Sequence, residues 1–413
     1  MMSTPIISKD FLREIPKTDL HVHLDGSLRV GTLIELARDR NVELPSYTEE
    51  GLYELVFKER YPSLVDYLRG FQYTTAVMQD PDGIERVAYE FAWDNFNEGV
   101  RYIEPRFAPQ LHVNDNQTLE DVLRAANRGL KRAQQEINAR AEIESGAEPP
   151  FAYGIIVCAL RMFNREFGEY YRKVLEVHAH SDPKDVFRLT STELAKATVN
   201  IRADYGLPIV GFDLAGQEDG YPAADHWPAF QHAHENFLKR TVHAGEAYGP
   251  ESIFQAITEL HAHRVGHGYH LFSADHISDT SIQDKDEYIR ELAEFIADRR
   301  ITLEVCLSSN LQTDPTLKSL DDHAFSKMWK ARLSVTLCTD NRLVSRTNMS
   351  RELELAVNHF SLRPRDLRHI VIYGFKRSFY PGTYIEKRAY VRRVIDYYES
   401  IEKRYQGVQE SDG

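Results

Sequence analysis

The sequence has few cysteines and no excess of positive charge. Its 413 residues contain three cysteines, Cys158, Cys306 and Cys338, and no Cys-X-X-Cys pair. This argues against a disulfide framework, a structural zinc site and a thiolate-ligated catalytic zinc. The formal net charge is -13, which repels phosphate backbones and anionic lipid surfaces. We therefore expect neither nucleic acid nor membrane as a partner.

Long apolar runs and glycine-rich loops are also missing. Residues 1–17 mix charged and apolar side chains without a run of signal length, and no later stretch approaches transmembrane length. These absences predict a cytoplasmic protein. No glycine-rich phosphate loop follows the first apolar run, which disfavours a doubly wound open sheet.

Short apolar runs instead alternate with longer helical patterns, which is typical of βα repeats and a parallel sheet. The pattern predicts helices over residues 82–98, 119–139, 227–238, 250–261, 288–299 and 323–330. It predicts strands over residues 18–24, 100–107, 151–160, 209–214, 240–244, 264–268, 301–307 and 333–339. Eight strands with intervening helices predict an α/β fold, a (β/α)8 TIM-type barrel in one domain of residues 1–405.

Three segments depart from this alternation. Residues 29–80 are longer than a usual βα loop and carry helices of their own, including one predicted over 64–78, so we interpret them as a helical lid insertion after the first strand. Residues 178–191 are polar and predict an excursion on the surface. Residues 406–413 lack apolar periodicity and predict a flexible tail.

Histidines and carboxylates recur where the predicted strands end. Strand alternation puts His21, His23 and Asp25 on one face of the first strand. Taken alone, the His-X-His pair could be strand histidines satisfied by hydrogen bonds. His243 and Asp340, however, end later strands, and strand ends share one face of a barrel.

The resulting set of three imidazoles and one carboxylate suits zinc and leaves room for a bound water. Glu246 and His267 lie close enough in the predicted barrel to reach the same small volume, without being needed as ligands. Other candidates have simpler explanations. We expect surface, solvated or helix-capping roles for His178, His180, His232, His234, His261 and His263, and we expect Asp213 to brace a strand end.

Several motifs together resemble the adenosine deaminase family. They are His21-Val22-His23-Leu24-Asp25-Gly26-Ser27, Asp213-Leu214-Ala215-Gly216, His243-Ala244-Gly245-Glu246, Val265-Gly266-His267-Gly268 and Thr339-Asp340. Their order follows the family over roughly residues 10 to 385. The resemblance implies a barrel hydrolase with one Zn2+ per chain that deaminates a purine nucleoside, adenosine or 2′-deoxyadenosine, and releases ammonia in purine salvage.

The resemblance also implies a role for each matching residue. His21, His23, His243 and Asp340 would hold the zinc. Asp340 would in addition accept the proton of the attacking water, His267 would direct that water, and Glu246 would protonate N1 of the purine.

Substrate contacts come from the same resemblance. The Gly216 N–H would bind N3, and Asp25 would hold a ribose hydroxyl. Leu64, Tyr67 and Leu68 would form an apolar cover. At Asn341 the family usually has an aspartate thought to donate to N7, and an asparagine amide donates without needing a proton.

Alternative functions stay open at this point. Other substrates in the same class are a modified adenosine, such as aminodeoxyfutalosine or a 5′-thioadenosine, and free adenine. AMP is less favoured because no strand-end Lys or Arg cluster is obvious, although Arg106, Arg161 and Arg342 keep it open. A two-metal amidohydrolase would need a lysine at the end of the fourth strand, which is absent. A non-catalytic binding protein of the family is a distant alternative, and the sequence gives no prediction of oligomeric state.

Overall fold

Parallel strands form a barrel in the computed structural model, which describes residues 7–411 of the chain. The strand order is β1-β2-β4-β5-β6-β7-β8-β9, with β3 paired to β2. The last strand meets the first where the Asp340 N–H donates to the His21 carbonyl at 2.8 Å and the His23 N–H donates to the Asp340 carbonyl at 2.7 Å. The strands are β1 Lys17–His23, β2 Val100–Phe107, β3 Ala152–Tyr153, β4 Ile155–Leu160, β5 Ile209–Ala215, β6 Lys239–Ala244, β7 Arg264–His267, β8 Thr302–Val305 and β9 Ser334–Leu337. The predicted eight-position barrel is confirmed.

The third barrel position holds two short strands rather than the single strand predicted over 151–160. Gly154 separates β3 from β4. A Cβ at Gly154 would lie 2.6 Å from two side-chain carbons of Val210, so only glycine lets the neighbouring strand pack this closely.

Helices surround the barrel, and apolar stripes on them face it. In α7, for example, Val122, Leu130 and Ile137 are buried, and Thr118 with Asp121 forms a capping box at the first turn. The helices are α1 Lys9–Glu14, α2 Val30–Asp39, α3 Glu49–Leu55, α4 Leu64–Leu68, α5 Phe71–Ala76, α6 Pro81–Asn97, α7 Leu119–Asn138, α8 Ala141–Glu144, α9 Glu169–Val177, α10 Pro183–Tyr205, α11 Trp227–Glu235, α12 Pro250–Thr258, α13 Lys285–Arg299, α14 Leu307–Thr313, α15 Phe325–Lys330, α16 Met349–Phe360, α17 Pro364–Arg377 and α18 Tyr384–Ser411.

Segment 29–80 carries α2 to α5, as the length of this connection predicted. The single helix predicted over 64–78 is instead two helices, α4 and α5, interrupted near Gly70, since glycine is a poor helix former. That this segment acts as a lid stays a proposal.

The polar segment 178–191 is exposed over residues 179–185, as predicted, but from Pro183 onward it belongs to the helix α10. Asp182 caps α10 and Pro183 begins it, and Val186 and Phe187 are buried on its inner side. Frequent charges on the outer side hid this stripe in the sequence.

At the C-terminus, α18 reaches Ser411, whereas residues 412–413 of the predicted tail lie outside the described residues. The flexibility of that tail stays a prediction. Among the described helices, none combines the length and apolar character needed to cross a bilayer.

Candidate metal centre and active site

Four side chains from three places in the barrel converge at the carboxyl ends of the strands. His21 and His23 lie on β1, His243 lies near the end of β6, and Asp340 follows β9. The Nε2 atoms of His23 and His243 are 3.1 Å apart, and Asp340 Oδ1 lies 3.4 Å from His21 Nε2 and 3.5 Å from His23 Nε2. One ligand atom of each residue lies within 4.8 Å of all the others. The predicted metal-ligand set therefore comes together in the fold.

Two of these histidines are oriented by buried carboxylates. Glu304 Oε2 lies 2.9 Å from His21 Nδ1, and Asp213 Oδ2 lies 3.0 Å from His243 Nδ1. Burial alone would raise the pKa of Asp213, but His243 and Arg106 outweigh it and hold that pKa well below its usual range. Both carboxylates therefore accept from the Nδ1–H groups, which leaves the Nε2 lone pairs to face the centre.

The residues present fit a divalent metal ion. His21 Nε2 is buried and has no hydrogen-bond partner in the protein, a costly state unless something else satisfies it. Three imidazole nitrogens and one carboxylate oxygen are ligands that zinc accepts, with a position left for water.

Glu246 and His267 lie at the same centre, with Glu246 Oε2 3.5 Å from His267 Nε2. Burial raises the pKa of Glu246 well above its usual value, and the charges of Asp340 and Glu218 raise it further against the opposing effect of Arg161. A raised pKa favours the protonated form of Glu246, which is the form that can give a proton.

Glu218 holds the loop that carries Glu246, and the sequence interpretation missed it. Its buried carboxylate accepts from the backbone N–H of Gly245 at 2.8 Å and of Glu246 at 3.0 Å. It also accepts from the N–H groups of Ala247 at 2.8 Å and Tyr248 at 3.0 Å, and from the Ser252 hydroxyl. The only sequence signal is an acid two residues after Gly216, and nothing in that spacing indicates contact with residues 245–248.

The sequence interpretation also missed the contact that Glu304 makes and gave Asp213 a different role. Glu304 is an acid within an apolar strand, a signal that went unused. Asp213 was expected to brace a strand end, but its carboxylate contacts His243 and also Arg106, at 3.1 Å from Arg106 Nη1. Its role is therefore closer to the metal centre than predicted.

A small cavity, with about 40 Å³ of space for water-sized groups, opens beside this centre. Gly216 has φ +95°, a conformation that favours glycine and exposes backbone to the cavity. Apolar side chains of α4 and α5 cover the opposite side. The lining residues are His23, Leu64, Tyr67, Leu68, Phe71, Ala215, Gly216, His243, Glu246, His267, Asp340 and Asn341.

Of the two predicted substrate contacts Asn341 and Asp25, only Asn341 lines the cavity. The Asn341 amide donates to the Tyr67 hydroxyl at 2.8 Å, and its NH2 group has a second hydrogen to offer. Asp25 is buried and Oδ1 has no hydrogen-bond partner in the protein, while His112 Nε2 lies 4.0 Å from Oδ2. Asp25 is not among the lining residues, and burial raises its pKa to about 7.

The remaining histidine pairs lie away from the centre. His180, His234, His261 and His263 are exposed, and His178 and His232 are partly buried. None of the six belongs to a group of candidate metal ligands found among residues 7–411.

Comparison with known protein families identifies one match over most of the chain. Residues 16–397 match the family model described as adenosine deaminase. A protein named adenosine deaminase from Mycobacterium marinum is 35% identical over 380 residues, which cover 91% of this chain and 93% of the relative.

Solved structures share the fold. An amidohydrolase from Burkholderia ambifaria with bound Zn has a TM-score of 0.74 at 19% identity, covering 98% of this chain and 97% of its own. The N6-methyl-AMP deaminase from Arabidopsis thaliana has a TM-score of 0.70 at 24% identity, covering 94% and 98%. An adenine deaminase from Arthrobacter aurescens has a TM-score of 0.69 at 21% identity, covering 93% and 99%.

Proposed function

Because the chain belongs to the adenosine deaminase family of hydrolases, we propose that it deaminates adenosine and 2′-deoxyadenosine hydrolytically, with zinc, and releases ammonia. The observation that carries the proposal is one cavity where a metal-ligand set, His267 and a Glu246 whose pKa is raised by burial meet. The reaction would serve purine salvage in the cytoplasm.

His21, His23, His243 and Asp340 would hold one Zn2+ per chain. When bound by such a site, zinc lowers the pKa of water toward neutrality and so supplies a nucleophile at ordinary pH. The Glu304 and Asp213 carboxylates keep His21 and His243 oriented for this task.

Glu246 is the proton donor in this mechanism. Water adds to C6 of the purine, which breaks the ring conjugation, so N1 must gain a proton as C6 becomes tetrahedral. Burial raises the pKa of Glu246 and so favours the form that carries this proton, and Glu218 fixes the loop from which Glu246 reaches the cavity.

Asp340 and His267 act on the attacking water. The Asp340 carboxylate accepts its proton, and His267 aligns it by a hydrogen bond. Asp340 then passes that proton to the departing nitrogen, and the C6 hydroxyl returns a proton to Glu246 as the tetrahedral centre collapses, which releases ammonia and leaves a carbonyl at C6.

Backbone and side chains around the cavity would hold the nucleoside. The Gly216 N–H would donate to N3, and the free hydrogen of the Asn341 amide would donate to N7. Asp25 would accept from a ribose hydroxyl. Leu64, Tyr67 and Leu68 would cover the base and exclude water, which strengthens the polar contacts inside.

Charge favours a nucleoside over a nucleotide. No Lys or Arg is among the lining residues. Arg106 is paired with Asp213 and Glu304, and Arg161 donates to the Tyr221 and His243 carbonyls. A 5′-phosphate in this cavity would therefore meet no free cation among the lining residues.

A panel of 6-aminopurines assayed by ultraviolet absorbance tests the substrate. We expect adenosine and 2′-deoxyadenosine to give the highest kcat/KM, followed at a distance by adenine, N6-methyl-AMP and 5′-modified adenosines. Turnover of a nucleotide above adenosine would refute the nucleoside assignment.

Elemental analysis tests the metal site. The purified protein should hold about one zinc per chain, and His243→Ala should retain much less. His180→Ala is the matched control, since His180 is exposed, and its zinc content should equal that of the wild type. A zinc content equal to that of the wild type in His243→Ala would show that His243 is not a zinc ligand.

Glu246→Gln tests the proton donor. The amide keeps the shape but cannot protonate N1, so kcat should fall by roughly 10²- to 10⁴-fold with zinc retained. Turnover at the wild-type rate would contradict the assignment.

A further inference from the structure

We propose that Asn310 and His323 are positioning residues that fix the tautomer of His267, so that a neutral His267 carries its proton on Nε2 and donates it as a hydrogen bond toward the reacting atoms. The catalytic meaning of this proposal rests on the proposed function. The tautomer itself does not, and it is measured separately.

The chain of hydrogen bonds begins at a backbone amide of α15. The Phe325 N–H donates to His323 Nδ1 at 3.0 Å. A backbone N–H can only donate, so Nδ1 carries no proton. Burial lowers the pKa of His323 to about 3, and a neutral ring with a bare Nδ1 must carry its one proton on Nε2.

The side-chain amide of Asn310 links the tautomer of His323 to that of His267. His323 Nε2 lies 3.2 Å from Asn310 Oδ1, and its N–H needs the amide oxygen there rather than the NH2 group. The NH2 group must then face His267, where Asn310 Nδ2 lies 3.2 Å from His267 Nδ1. Because the amide nitrogen only donates, His267 Nδ1 is the acceptor.

The series of hydrogen bonds ends at His267, whose Nε2 atom lies at the proposed reaction centre. This nitrogen is buried, has no hydrogen-bond partner in the protein, and is 3.5 Å from Glu246 Oε2. A neutral His267 with Nε2–H can donate to the attacking water but cannot remove its proton. This assigns the proton acceptor to Asp340 and leaves His267 an aligning role.

Packing keeps the donors and acceptors of these hydrogen bonds from exchanging roles. Asn310, His323 and His267 are each 1% exposed, so bulk water does not compete for the hydrogen bonds that join them. The His323 ring centroid lies 4.9 Å from that of Tyr269 and 6.4 Å from that of Phe360, which limits rotation of the ring.

Nuclear magnetic resonance of the zinc-loaded full chain, labelled with ring-¹⁵N histidine, reads the tautomer directly. The His267 signals are assigned by their loss in His267→Gln. We expect Nε2 protonated and Nδ1 bare in the wild type. In Asn310→Asp a carboxylate replaces the donor, so Nδ1 must be protonated, and in mildly alkaline buffer the neutral ring should then lose the proton on Nε2.

Kinetics of the same variants test the consequence. Residues that orient the histidines of a metal site typically matter by about 10- to 100-fold in activity. We expect a loss of similar size in the kcat of Asn310→Asp, with KM little changed and zinc retained. His323→Gln keeps a donor for Asn310 Oδ1 and should retain the tautomer and most of kcat. His323→Leu removes the donor and should give mixed tautomers and a lower kcat.

Two results would overturn the proposal. One is a wild-type His267 protonated on Nδ1, and the other is an unchanged tautomer and kcat in Asn310→Asp. An equal loss of kcat in His323→Gln and His323→Leu would show that His323 does not help to set the tautomer of His267. If the expected tautomer is found but no 6-aminopurine is turned over, the proposed function fails and the tautomer assignment stands.

Discussion

Replacing Glu218 with glutamine should destabilise the protein and slow catalysis together. The Glu218 carboxylate accepts four backbone N–H groups and the Ser252 hydroxyl in a buried place. Glutamine has the same shape but only one acceptor oxygen. The exchange therefore changes the hydrogen bonds of the 245–248 loop and little else.

The size of the effect follows from these bonds. If the glutamine oxygen serves Glu246, Ala247 and Tyr248, its NH2 group faces the Gly245 N–H and leaves that donor unpaired, at about 1 to 3 kcal/mol. The other three bonds lose the charge of the acceptor, about 1 kcal/mol each. Glutamine is neutral and avoids the free-energy cost of burying a charged carboxylate, which offsets part of this loss. We expect a net decrease of about 2 to 4 kcal/mol in the free energy of unfolding.

Catalysis should suffer because Glu246 lies on the same loop. Small displacements of a reacting group cost up to about 10²-fold, so kcat of Glu218→Gln should fall by about 10- to 100-fold. Urea unfolding and steady-state deamination measure the two effects, and zinc analysis shows whether the metal site is intact.

Glu251→Gln is a matched control on the adjoining helix α12. Glu251 accepts from the backbone N–H groups of Ser278 and Asp279, at 2.7 and 3.1 Å, but in an exposed loop. It should change stability by no more than about 0.5 kcal/mol and leave kcat unchanged. If Glu218→Gln behaves like Glu251→Gln, the carboxylate does not hold the loop and our reasoning is wrong.

Three further predictions concern the base, the lid and acid stability. Asn341→Ala should cost about 1 to 3 kcal/mol in catalytic efficiency on adenosine but little on 7-deazaadenosine, which lacks N7, and an equal loss on both substrates would disprove the N7 contact. Tyr67→Phe removes the hydroxyl that Asn341 contacts at 2.8 Å, so a double-mutant cycle with Asn341→Ala should show a coupling of about 0.5 to 3 kcal/mol, and strict additivity would argue against it. His226 is buried and the pKa of its ring is lowered to about 3, first by burial and then by Arg161. Between pH 3 and 6.5 the unfolded chain binds the proton and the folded chain does not, so stability falls as pH falls through this window. His226→Gln should reduce that slope by about 1.4 kcal/mol per pH unit in urea unfolding, and an unchanged slope would show that His226 does not titrate on unfolding.

Segments 29–80 and 178–191 show where sequence patterns stop being informative. The length of segment 29–80 predicted helices of its own, and the structure has them. One periodic pattern over 64–78 nevertheless became two helices, because apolar periodicity gave no weight to Gly70, a poor helix former at the break. In 178–191 surface charge concealed α10, whose buried stripe is visible only against its neighbours.

Sequence patterns were sufficient to predict the barrel and the residues that meet at its centre. Alternating apolar runs and helical patterns predict a parallel sheet, and strand ends must meet on one face, so His21, His23, His243 and Asp340 could be placed together from their positions alone. The contacts that support those residues became visible only in the folded protein. Glu218, Glu304 and Asn310 act through contacts between segments far apart in the chain. A hydrogen bond across such a distance leaves no period or spacing in the sequence, since it depends on where the folded backbone brings each donor and acceptor.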